Sequence, residues 1–93
     1  MSKPISLSEH FQRASQMVHL LPTKPSDEEL LQLYGLYKQA TVGNCNTQKP
    51  TALFDIKGKR KWESWNANFN VSSEEAKKQY ILKVQSLISS VTS

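Results

Sequence analysis

Tyr34, Tyr37 and Lys38 stand at i, i+3 and i+4. On a helix these positions share one face, so two aromatic rings and one ammonium point the same way. Lys57 and Lys61 are four residues apart within a KGKRK cluster near a helix start, where unpaired backbone N–H groups also favour anions. Tyr80 falls on the apolar stripe of a last helix. Rings stack on flat heterocycles and ammoniums meet phosphates, so this set points to capture of a flat, anionic ligand such as a nucleotide. Each part also has a plainer reading. A tyrosine packs its ring in the core with its hydroxyl at the rim, and a lysine cluster coats a solvated helix face. Trp62 and Trp65 are expected to be core residues.

Groups for catalysis are scarce. His10 and His19 are nine residues apart, no Ser-His-Asp signature is present, and nothing has HExxH-like spacing. The single cysteine, Cys45, lies in a loop without an adjacent base and reads as a plain loop residue. Gly35, Gly43 and Gly58 do not form a phosphate-cradling motif. The balance favours binding over catalysis, with no metal and no cofactor.

The 93 residues are enough for one domain with one modest core. Hydrophobic residues make up 38% and charged residues 22%, which fits a folded globular chain rather than a disordered one. No apolar run approaches the roughly 20 residues that span a bilayer. The N-terminal MSKPISLSEH has no apolar segment of a secretory signal, and one cysteine cannot form an internal disulfide. Both features point to the cytoplasm. The net charge of +4 and pI near 9.3 suit an anionic ligand, nucleic acid or an acidic membrane surface.

The elements that must position these residues read as four helices with no strand pattern. Leu7, Phe11, Ala14, Val18 and Leu21 form one stripe of a first helix over about Ser8 to Leu21, capped by Ser6 or Ser8 and stopped by Pro22 and Pro25. Ser26 and Glu29 form a capping box for a second helix reaching Thr41 or Val42, with Gly43 as its stop. Its apolar face is Leu30, Leu33, Tyr34, Tyr37 and Ala40, widened by Leu31. Residues 43–53 are a long, turn-rich connection that is either functional or a spacer between parallel helices. A third helix runs from Asp55 or Ile56 to Phe69, with Trp62, Trp65 and Phe69 on one side and Asn66, Asn68 and Asn70 at a fraying end. Ser72 and Glu75 start a fourth, whose stripe is Ala76, Tyr80, Val84, Leu87, Ile88 and Val91.

YGLYKQATVGN, a proline-containing loop and KGKRKWESWN together closely resemble the acyl-CoA-binding protein family. Its usual pattern is Y-x-x-YKQAT-x-GD, a proline, then KGK-x-KW-x-AW. The likeness covers nearly the whole chain, including TKPSDEELL before the second helix and SSEEAKKQYI at the fourth. The resemblance implies a single acyl-CoA-binding domain over residues 1–93, an up-down-down-up four-helix bundle. It implies non-catalytic binding, transport and buffering of medium- to long-chain acyl-CoA esters by a monomer with at most transient membrane or enzyme contact.

Carried over position by position, the coenzyme A contacts fall at Tyr34, Gly35, Leu36, Tyr37 and Lys38 on the second helix, Lys57 and Lys61 on the third, and Tyr80 on the fourth. Tyr34 and Tyr37 would flank the adenine, and Lys38 and Lys61 would meet the ribose 3′-phosphate. Phe11, Ala14, Leu30 and Leu31 match the acyl groove. His19 stands where lysine or arginine is usual, which replaces a permanent charge with an imidazole. Asn44 and Cys45 replace an Asp-Ile pair, and TALFDI is one residue longer than the common Gly-x-x-Asp-Phe form. A basic helical module for nucleic acid or a protein partner is the rival reading. The short basic cluster opposite aromatic residues suits a small ligand better than an extended nucleic-acid backbone.

Overall fold

The computed structural model describes residues 4–92, so Met1, Ser2 and Lys3 of the N-terminal stretch and the side chain of Val91 lie outside it. Four helices form: α1 Leu7–Val18, α2 Asp27–Thr41, α3 Ile56–Asn66 and α4 Ser73–Thr92.

Local chemistry sets their ends. The Ser6 hydroxyl accepts from the Glu9 N–H at 3.2 Å and caps α1. The helix stops at Val18, before the expected Leu21, because its end tightens: the N–H groups of His19 and Leu20 donate to carbonyls three residues back. Both halves of the Ser26–Glu29 capping box form, at 3.0 and 3.1 Å. Gly43 ends α2 at φ 98°, a left-handed conformation that glycine adopts without strain, and its N–H donates to the Lys38 carbonyl. Asp55 caps α3 by accepting from the Gly58 N–H at 3.0 Å. The third helix ends at Asn66 rather than Phe69, and the asparagines beyond it are bonded, not frayed. Asn68 donates to the Ser64 carbonyl, and Asn70 takes φ 71°, which asparagine tolerates better than most residues. Ser72 accepts from the Glu75 N–H at 3.1 Å where α4 begins.

Cross-helix pairs give the topology. Ser8 meets Lys77 and Phe11 meets Tyr80, so α1 and α4 run parallel. Glu29 meets Lys83 while Ala40 meets Ser73, so α2 and α4 are antiparallel. Tyr34 meets Lys61 while Lys38 meets Trp65, so α2 and α3 are parallel. This is the expected up-down-down-up order. The backbones of α1 and α3 each pack on a single neighbour, α4 and α2 respectively, and α2 packs on both α3 and α4. The Cα atoms spread over 54 × 28 × 15 Å, so the bundle is flattened.

The core joins Phe11 and Ala14 of α1, Leu33, Leu36 and Ala40 of α2, and Ala76, Tyr80, Val84 and Leu87 of α4. The buried face of α2 is rotated from the expected one. Leu33, Gly35, Leu36, Gln39 and Ala40 are buried, while Leu30 and Tyr34 are half-buried and Tyr37 is 43% exposed. The reason is that α2 is covered from two sides. Gly35 lies so close to α3 that an added Cβ would collide with the Ser64 carbonyl. Of the aromatic set on the third segment only Trp65 is buried. Trp62 is half-buried, and Phe69 is 54% exposed because it lies past the helix end.

The connection 43–54 travels back along α3, as two parallel helices require. Both indoles hold it: Trp65 Nε1–H donates to the Gly43 carbonyl and Trp62 Nε1–H to the Thr47 carbonyl, each at 2.8 Å. Lys49 pairs with Glu63 at 2.9 Å. Asn44 accepts from the Gln39 side chain at 2.9 Å and from the Asn70 N–H at 2.6 Å. Gln39 also donates to the Val71 carbonyl at 2.8 Å, so one buried amide joins α2, the connection and the turn before α4.

A cleft lined by tyrosines and lysines

Two adjoining clefts run along α2 and share Leu30 and Tyr34. The larger, about 550 Å³, lies between α2 and α3; its walls include Leu31, Ile56, Lys57, Arg60 and Lys61, with Lys24 and Asp27 from the turn into α2. The smaller, about 350 Å³, faces α1 and α4 and is lined by Val18, His19, Leu33, Tyr37 and Tyr80, among others. Tyr34 separates a cationic side from an aromatic side.

The parallel packing of α2 and α3 produces this pairing. Lys61 Nζ lies 5.3 Å from the centre of the Tyr34 ring, and Lys38 Nζ lies 4.7 Å from that of Trp65. Both distances are within cation–π range, which holds each ammonium close to its ring without neutralising it. Among the described residues, Lys38, Lys57 and Lys61 pair with no carboxylate. On the other side, Phe11, Tyr37 and Tyr80 form an aromatic triad, with centroids 5.5 Å apart for Phe11–Tyr37, 5.0 Å for Phe11–Tyr80 and 6.1 Å for Tyr37–Tyr80. Burial, with a smaller contribution from the Tyr37 phenol, pushes the Tyr80 hydroxyl above its ordinary pKa. Tyr80 therefore stays a neutral hydrogen-bonding group at physiological pH.

The structure thus gathers Tyr34, Tyr37, Tyr80, His19, Lys57, Lys61, Leu30 and Leu31 along one pair of clefts. It places five other expected residues differently. Gly35 packs against the α3 backbone. Leu36 is 9% exposed and lines a separate cleft across α2, with Gln32, Ser64 and Asn68. Phe11, itself one of the three rings, and Ala14 are buried in the core and line neither cleft. Lys38 lines neither cleft and lies over Trp65. Sequence spacing did not single out Lys24, Arg60 or Ile56 as cleft residues. The KGKRK cluster contained the signal for Arg60, but Lys24 joins only because parallel helices bring the turn before α2 beside the start of α3. Among the described residues, no cluster of three or more His, Cys, Asp or Glu side chains could hold a metal ion, and no helix is long and apolar enough to cross a membrane.

Four helices with an open, cationic and aromatic cleft define a small all-α binding module. Residues 8–84 match the sequence profile of the family described as acyl CoA binding protein. A Drosophila melanogaster acyl-CoA-binding protein homolog is 50% identical over 82 residues, covering 88% of this chain and 94% of that one. The Saccharomyces cerevisiae acyl-CoA-binding protein is 46% identical over 87 residues, covering 94% and 99%. The crystal structure of Oryza sativa acyl-CoA-binding protein 2 superposes with a TM-score of 0.87 at 41% identity, covering 94% of this chain and 96% of that one. The chain belongs to the acyl-CoA-binding protein family.

Proposed function

We propose that this protein binds medium- to long-chain acyl-CoA esters without transforming them, and so carries and buffers them as a cytoplasmic monomer. The observation that carries this reading is the arrangement of unneutralised lysines and tyrosine rings along two adjoining clefts that meet at Tyr34, in a chain of this family. Tyr34 and Tyr37 take the adenine. Lys38 and Lys61 take the 3′-phosphate, with Lys57 and His19 nearby and Tyr80 contacting the nucleotide end. Leu30 and Leu31 support the acyl chain, over a floor that Phe11 and Ala14 underlie.

The two parts of the ligand contribute differently. Cations draw in the polyanionic nucleotide and fix its orientation. Each methylene buried adds up to about 0.8 kcal/mol, so two more carbons raise affinity about tenfold until the groove is full. Isothermal titration with palmitoyl-CoA, coenzyme A and palmitate tests the reading. Palmitoyl-CoA should bind far more tightly than either fragment. Equal affinity for palmitate and its coenzyme A ester would remove the nucleotide from the explanation and sink the proposal.

A further inference from the structure

Large apolar side chains stand in water at the end of the molecule where α3 begins. Leu53 is 79% exposed, Phe54 91% and Ile56 66%. A defined turn carries them. The Asp55 N–H donates to the Ala52 carbonyl at 3.1 Å, and the Asp55 carboxylate accepts from the Gly58 N–H at 3.0 Å. Ile56 lines the larger cleft, but Leu53 and Phe54 line neither cleft, so a ligand lying there does not account for them. The turn between α1 and α2 shares this end of the molecule, because α2 runs parallel to α3 and antiparallel to the α1–α4 pair. Leu20 in that turn is 75% exposed.

Cations surround these side chains. Lys57, Arg60 and Lys61 follow in the first turns of α3, and Lys24 stands across the cleft. Asp27 is the acidic residue of that cleft wall, and the Asp55 carboxylate is engaged in its helix cap. Clustered exposed apolar side chains mark an interaction surface. A handful of them is few beside the roughly 20–30 residues per side of a standard protein–protein interface. An anionic lipid surface fits better. Apolar side chains enter the boundary between headgroups and acyl chains, while lysine and arginine meet the lipid phosphates.

We propose that the turn bearing Leu53, Phe54 and Ile56, with Lys57 and Arg60 beside it, docks this protein reversibly on anionic phospholipid bilayers. Docking turns the open edge of the larger cleft toward the membrane. Leu53 and Phe54 lie outside both clefts, so their part in the contact is tested on the ligand-free chain.

The experiment is flotation with vesicles of pure phosphatidylcholine and with vesicles in which a third of the lipid is phosphatidylserine. The chain should partition to the anionic vesicles, less so as salt rises, and Leu53→Ser/Phe54→Ser should weaken this about tenfold or more. The double variant should keep the wild-type melting temperature and affinity for palmitoyl-CoA. Wild-type partitioning no greater to anionic than to neutral vesicles would overturn the proposal. Unchanged partitioning of the double variant would do so too, by leaving the lysines as the whole attraction. Joint loss of vesicle and palmitoyl-CoA binding would instead assign the two side chains to the ligand site.

Discussion

Lys61 lines the larger cleft and enters none of the ion pairs of the fold among the described residues. Its ammonium lies over the Tyr34 ring and, among the described residues, has no carboxylate partner, so it is held near the cleft with its charge available. Lys61→Ala should therefore lower palmitoyl-CoA affinity about tenfold or more, the equivalent of about 1.4 kcal/mol, with the melting temperature nearly unchanged. Titration and thermal unfolding of the same preparation check this; a large fall in melting temperature would make Lys61 a structural residue. The tryptophans show the opposite division. Their i, i+3 spacing gave both the same expected burial, yet Trp65 is 4% exposed and Trp62 only half-buried. The difference arises from the chain that returns along α3, whose course the spacing does not encode. Trp65→Ala should cost about 3–5 kcal/mol, and Trp62→Ala about 1–2 kcal/mol for part of a ring and one hydrogen bond. Urea unfolding of the two variants should rank them in that order; equal losses would contradict the burial difference.

The element that organises the others is α2, whose start is set by the charge on one residue. The Ser26 backbone N–H, and secondarily its side chain, hold the Glu29 carboxyl below the usual range against an opposing penalty of desolvation; Lys83, 3.7 Å away, adds a lesser lowering effect. A lowered folded pKa means that this stabilisation is present above the glutamate's unfolded value, about 4.3, and is lost as the pH falls through the folded value. Glu29→Gln keeps the capping geometry without the charge. Its melting temperature should lie below wild type at neutral pH, and the gap should close in acid. A gap that persists at low pH would assign the effect to shape rather than charge. The Ser26–Glu29 capping box, the Ser72 cap, the Gly43 stop and the stripes of α1 and α4 were legible in the sequence, because each is a local pattern; of the box expected at Ser72 and Glu75 only the Ser72 half forms. The buried face of α2 was not. Gln39 reads as solvent-facing by type, yet it is 1% exposed, since its partners Asn44 and Val71 come from distant turns. Helical periodicity puts Gly35 and Leu36 off the face that Tyr34 and Tyr37 share; Gly35 packs on the α3 backbone and Leu36 joins the core.

At the scale of the whole molecule, the helices are unequally held. α4 carries Ala76, Tyr80, Val84 and Leu87 in the shared core and contacts two helices. α3 contributes Trp65 alone to the buried set, packs on α2 only and is otherwise tied down through the returning connection. Local opening should follow this difference, because few buried contacts leave a segment at the low-stability end of a structure. In the free protein, amides of residues 56–66 should exchange faster than those around Tyr80 and Val84. The proposed ligand contacts, from Tyr34 on α2 to Lys57 and Lys61 on α3, would add an attachment to those α3 has through α2 and the connection. At a free concentration of 100 times Kd the ligand should add about 2.7 kcal/mol to global stability and raise the melting temperature by roughly 10 °C or more. The gain in protection at locally exchanging amides should concentrate on α3, narrowing its difference from α4. Hydrogen exchange with and without palmitoyl-CoA measures both effects. If α3 is already as protected as α4 in the free protein, the two indole hydrogen bonds and the Lys49–Glu63 pair suffice to hold it, and ligand binding has no loose helix to close.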